Sequence, residues 1–158
     1  MTQDDFNALM NDVATTIGTR PLNAELGAFL NETFPSDGPV VKNIQAACKA
    51  GIAEGWLCEN ENHGIQYSRP IKPSLGEHDF SVDVVVMDDC RGPHHAHPGG
   101  EIDLILPEDS DAEFDDHGKG WLVYEPGSAH YPTVTGGKAV VLYLLPKGAI
   151  EFTRAKKE

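Results

Sequence analysis

Positive charge is scarce in this chain. Twelve Lys and Arg stand against 25 Asp and Glu, for a formal net charge of −13 at pH 7. Nucleic acid and anionic membrane surfaces both call for a basic face, so this balance argues against either partner. No apolar run approaches the roughly 20 residues that span a bilayer. The opening Met1-Thr2-Gln3-Asp4-Asp5-Phe6 has neither the basic start nor the apolar stretch of a secretory signal. Cysteine is sparse and odd in number. Cys48, Cys58 and Cys90 fit no disulfide framework, and no Cys-x-x-Cys pattern backs Cys90 as a metal ligand. Reduced thiols in a cytoplasmic protein are therefore expected. Internal repeats and low-complexity segments are missing too. What remains is 158 residues, 40% of them hydrophobic, enough for one real core.

The hydrophobic pattern changes period near Trp56. Before it, Phe6, Leu9, Met10, Val13 and Ile17 recur at helical spacing, with Thr2 and Asp5 placed as a capping pair. A second stripe runs through Leu22, Leu26, Phe29, Leu30 and Phe34 up to Pro35. A third runs through Val40, Val41, Ile44, Ala47, Cys48 and Ile52 to a stop at Gly55. After it, short β-rich runs predict strands at Trp56–Cys58, Ile65–Arg69, Phe80–Met87, Ile102–Leu106, Trp121–Tyr124, Val140–Leu145 and Ile150–Thr153. Residues 60–64 read as a hairpin turn, and residues 154–158 as a frayed tail. The expected architecture is mainly β: a helical extension over residues 1–55, packed on the outside of an antiparallel barrel over residues 56–158.

The densest chemistry lies in His95-x-His97-x-x-x-Glu101. On a strand, alternate side chains share a face, so His95 and His97 aim at one point while His94 points away. Pro98, Gly99 and Gly100 supply a turn that returns Glu101 beside the imidazoles. Two imidazoles and a carboxylate suit a divalent transition metal, and His130, after the strand-like Trp121–Tyr124, offers a fourth ligand. Donor type alone does not choose among Fe, Mn, Ni, Co and Zn.

Together these two segments resemble the cupin signature, His-x-His-x-x-x-Glu followed downstream by Gly-x-x-His, here Gly127 and His130. Glu125 stands where that family usually has proline, and Val134 where asparagine is frequent. The resemblance implies a jelly-roll barrel, one metal ion and a homodimer. A narrower likeness runs from about Gly55 to Phe152. Gly55-Trp56-Leu57-Cys58, Phe80–Val85, Gly92-Pro93-His94-His95, Gly100-Glu101-Ile102-Asp103, Gly120–Tyr124 and Leu142–Pro146 are similar to segments of 4-hydroxylaminobenzoate lyases. That implies a lyase of nitroaromatic degradation, converting 4-hydroxylaminobenzoate and water to 3,4-dihydroxybenzoate and ammonia.

Such a reaction needs an acid near the metal, a cation for the substrate carboxylate, and flat apolar walls for its ring. Asp103, two residues after Glu101 on the same strand face, is the first candidate acid or base, and Glu125 the second. A part in orienting a histidine is the competing reading for Asp103. Arg69, Arg91 and Lys72 are the cations outside the helices and tail, with Arg69 and Arg91 favoured. Trp121, Tyr124, Tyr131 and Tyr143 are the candidate aromatic walls, with Tyr124 and Tyr131 favoured because residues such as Trp121 and Tyr143 are more often plain core. Two other classes remain open: a cupin dioxygenase acting on an aromatic ring, and a cupin that binds a small molecule without turnover.

Overall fold

A computed structural model describes residues 1–153; the expected frayed tail, residues 154–158, lies outside the described residues. Three helices come first: α1 (Gln3–Ile17), α2 (Ala24–Thr33) and α3 (Pro39–Glu54). The Thr2 hydroxyl accepts from the Asp5 amide, and the Asp5 carboxylate accepts from the Thr2 amide, closing a capping box on α1. Gly55 ends α3 at φ 87°, a left-handed cap that glycine adopts without a Cβ clash. No helix among the described residues is long and apolar enough to cross a membrane.

Ten strands follow: β1 (Asn60–Asn62), β2 (Ile65–Leu75), β3 (Phe80–Arg91), β4 (His95–His97), β5 (Glu101–Pro107), β6 (Glu113–Phe114), β7 (Gly120–Tyr124), β8 (Ser128–His130), β9 (Thr133–Pro146) and β10 (Glu151–Phe152). They form a large antiparallel sheet in the order β1-β2-β3-β9-β5-β7, with β6 also on β9, and a small one in the order β10-β4-β8. The predicted helices and most predicted strands are therefore present. Two details differ. Trp56–Cys58 is not a strand, because Cys58 turns the chain at φ 55°, and Trp56 instead packs edge-on against Phe6 at 6.0 Å. The hairpin turn is only His63-Gly64, both with positive φ, while residues 60–62 pair with β2.

The register explains how the large sheet serves two layers. Val82, Leu144 and Ile102 lie side by side across β3, β9 and β5, and face a core shared with Phe6, Met10, Ile17, Leu30 and Ile44 of the helices. One residue along, Asp83, Tyr143 and Asp103 form the next row, on the opposite face. That inner face carries its own smaller core of Met87, Ile105, Phe114, Val141 and Leu145. The small sheet lies against it, with the His95 ring 6.2 Å from that of Tyr143. The sheets are jelly-roll in kind but do not close into a barrel, since among the described residues no ladder joins β4, β8 or β10 to the large sheet.

Candidate metal centre and its cavity

Three histidines reach the centre from the small sheet and one carboxylate from the large one. His95 and His97 project from β4 with one residue between them, and β8 pairs with β4 so that His130 lies opposite His95. Glu101 opens β5 after a tight turn in which the Gly100 amide donates to the His97 carbonyl at 3.2 Å. That turn demands glycine. Gly100 has φ 89°, and a Cβ there would lie 2.8 Å from the Tyr124 carbonyl oxygen. The Gly127 amide also donates to the His97 carbonyl, at 2.7 Å, tying the β7–β8 turn to the same residue.

The donor atoms of His95, His97, Glu101 and His130 all lie within 4.8 Å of one another. Glu101 Oε1 is 3.3 Å from His95 Nε2 and 3.0 Å from His97 Nε2, and Oε2 is 3.6 Å from His130 Nε2. His95 is 2% exposed, and His97 and Glu101 are fully buried. Burying four such groups together is costly unless something satisfies them. His97 Nε2 and Glu101 Oε2 have no hydrogen-bond partner. The outward nitrogens of His97 and His130, by contrast, are occupied: His97 Nδ1 meets Ser128 Oγ at 2.8 Å, and His130 Nδ1 meets Asp115 Oδ2 at 2.5 Å. A proton on each of these two nitrogens leaves the corresponding Nε2 lone pair facing inward, as ligation requires. This donor set fits one divalent cation.

Electrostatics separates the two neighbouring carboxylates. Burial raises Glu101, yet its contacts with His130, His95 and His97 outweigh that and hold it well below the usual range. Asp103 is pushed well above its usual value, first by complete burial and then by the charge of Glu101, and neither of its oxygens has a hydrogen-bond partner. Two carboxyls driven apart in this way suit one charged and one protonated role. Burial works against a charged His130, but its bonds to Asp115 and Glu101 lift it to about 9.

A cavity of about 990 Å³ opens beside His95. Arg69, Arg91, Tyr131, Tyr143 and Phe152 are among its walls. The Arg91 guanidinium lies 4.3 Å over the Tyr131 ring and is exposed. Arg69 is more engaged: Nε donates to Asp83 at 2.6 Å, and Nη2 to Asp83 at 3.2 Å and to the Gly148 carbonyl at 3.1 Å. Lys72, Asp103, Tyr124 and Glu125 do not line this cavity. Tyr124 packs on His130 with ring centroids 4.5 Å apart and donates its hydroxyl to Asp115, while Glu125 is exposed in the β7–β8 turn. His94 points away from the cluster, its Nδ1 2.5 Å from Thr153 Oγ1.

Sequence reasoning passed over Asp115, Ser128, Asp83 and Phe152. Asp115 follows two-residue β6 in a turn where it and Asp116 both take positive φ, and nothing in that stretch signals its contact with a histidine 15 residues on. Ser128, two residues before His130, had a weak signal in its place on the same strand. Phe152 is reachable only through the pairing of β10 with His95.

Two antiparallel sheets that converge three histidines and a glutamate define a cupin-like protein. The chain belongs to the 4-hydroxylaminobenzoate lyase family, whose model matches residues 8–152, and it is thus a member of a family of lyases. A 4-hydroxylaminobenzoate lyase of Pseudomonas putida is 30% identical over 95% of both chains. Another from Nocardioides sp. (strain LMS-CY) is 32% identical over 84% of both. Among solved structures, a DMSP lyase from Ruegeria pomeroyi superposes over 99% of this chain and 100% of its own, at 18% identity and a TM-score of 0.44.

Proposed function

We propose that this protein is a metal-dependent lyase that converts 4-hydroxylaminobenzoate and water to 3,4-dihydroxybenzoate and ammonia, in the degradation of nitroaromatic compounds. Support comes above all from one observation, the convergence of four donor atoms within 4.8 Å, one of whose residues, His95, lines an aromatic-walled cavity. The family's named relatives supply the substrate. The same reading extends to a cytoplasmic homodimer.

His95, His97, Glu101 and His130 would hold the ion, one of Fe, Mn, Ni, Co or Zn. When bound, the ion supplies Lewis acidity for polarising an oxygen of the substrate or of water. The rest is work for the chain. Arg91, exposed at the cavity wall, takes the substrate carboxylate, with Arg69 as a second cation whose charge is partly used by Asp83. Tyr131 and Phe152 flank the ring. Asp103 holds a proton on its buried carboxyl for departure of the hydroxylamino oxygen as water. A water then adds to the ring carbon beside the nitrogen, and a second water hydrolyses the resulting imine and frees ammonia. The balance is one water consumed. No external oxidant is needed, because breaking the N–O bond oxidises the ring as it reduces the nitrogen. Glu125 is exposed in the β7–β8 turn, whereas Asp103 lies two residues from Glu101 on β5, which favours Asp103 for the acid.

Removal of metal is the first test. Protein stripped with a chelator should lose ammonia release from 4-hydroxylaminobenzoate and regain it when one of the five ions is restored. Full activity in metal-free protein would overturn the reading. A second expectation concerns Asp115, which holds His130, Tyr124 and the Thr133 amide. Asp115→Asn removes the charge facing His130 Nδ1, and metal affinity should fall about 10–100-fold, read by competition with a chromogenic chelator. Unchanged affinity would make Asp115 merely a turn residue.

A further inference from the structure

Tyr143 is placed like a core residue but finished like a ligand contact. It sits in the middle of β9, paired with Asp83 of β3 on one side and Asp103 of β5 on the other. Its ring packs on Phe114 and on His95, both at 6.2 Å between centroids, and the residue is 5% exposed. Phenylalanine would serve that packing equally well. A buried tyrosine normally pairs its hydroxyl. Here the hydroxyl has no hydrogen-bond partner among the described residues, yet it is not among the sealed polar atoms, and Tyr143 lines the cavity. The missing partner belongs to whatever the cavity holds.

We infer that the Tyr143 hydroxyl donates a hydrogen bond to the hydroxylamino oxygen of the substrate, a catalytic contact beyond the residues assigned above. The inference rests on the proposed function for the identity of that oxygen. The neighbours decide which end of the substrate it meets. Asp83 and Asp103 flank Tyr143 in register, and Arg69, the cation at Asp83, is already engaged by it, so this row offers the substrate's carboxylate no free partner, whereas a neutral N–OH needs none. His95 of the metal cluster is in ring contact with Tyr143, which puts the same end of the substrate near the ion. Arg91 and Tyr131 are left to take the carboxylate.

The test pairs Tyr143→Phe with two unreactive ligands, measured by calorimetry on the metal-loaded protein. 4-(Hydroxymethyl)benzoate puts a hydroxyl where the substrate has one; 4-ethylbenzoate has the same shape without it. One hydrogen bond is worth about 0.5–1.5 kcal/mol, so the protein should prefer the hydroxymethyl ligand by about 2–12-fold. Tyr143→Phe should abolish that preference, keep the affinity for 4-ethylbenzoate and the metal content, and lower kcat more than it raises KM. Tyr143→Leu, which also lacks the hydroxyl, repeats the measurement should the phenylalanine protein not fold. An undiminished preference in either variant would overturn the inference. The ligand comparison stands apart from turnover, so a failure of the lyase reading would show as absent ammonia release, not as a changed preference.

Discussion

Glu101→Gln should strip the protein of bound metal and abolish turnover together. Glu101 is the one carboxylate of the cluster, fully buried between His95, His97 and His130. The amide keeps the shape but removes the negative charge, and it places an NH2 where a lone pair is needed. Loss of an outer partner costs about 10–100-fold in metal affinity, and loss of this ligand should cost more. Elemental analysis of the purified variant, set beside its ammonia release, reads both effects. A Glu101→Gln protein with full metal and full activity would remove Glu101 from the site.

Asp103→Asn should separate those two effects. Asp103 lies two residues along β5, fully buried, with both oxygens unpaired. It has no place in the four-donor cluster, so metal content should stay at the level of the unaltered protein. The amide preserves size and cannot give up a carboxyl proton. A general acid or base typically contributes about 10²–10⁴-fold, and ammonia release should fall by that factor. Turnover within a few-fold of the unaltered protein would reduce Asp103 to a structural neighbour of Glu101, and the acid would then have to come from Glu125, His94 or a water.

How far the sequence reached depends on the range of the interaction. Local rules located the helices: the Thr2–Asp5 box and Gly55 are nearest-neighbour chemistry, written within one turn of chain. The alternation that puts His95 and His97 on one face is equally local, and so is the glycine turn that returns Glu101. Long-range pairing was less legible. Cys58 takes a left-handed conformation that no propensity foretells, so a run that looks like a strand became a corner. Asp115 touches His130 because β6 pairs with the start of β9, just after β8, and Asp83 captures Arg69 across 14 residues. Tyr143 shows the limit most clearly. Its hydrophobic neighbours predict a core side chain, and it is one, but only the fold reveals that it also lines the cavity.

The central claim, a lyase that draws its oxidising equivalents from the substrate's own N–O bond, meets its most direct test in one stoichiometry. Metal-replete protein is mixed with 4-hydroxylaminobenzoate under strict exclusion of oxygen, and ammonia and 3,4-dihydroxybenzoate are counted against substrate consumed. One of each per substrate is predicted, at the same rate as in air. Substrate left intact without oxygen, with oxygen uptake in air, would contradict the account and point instead to ring oxygenation at the same cluster.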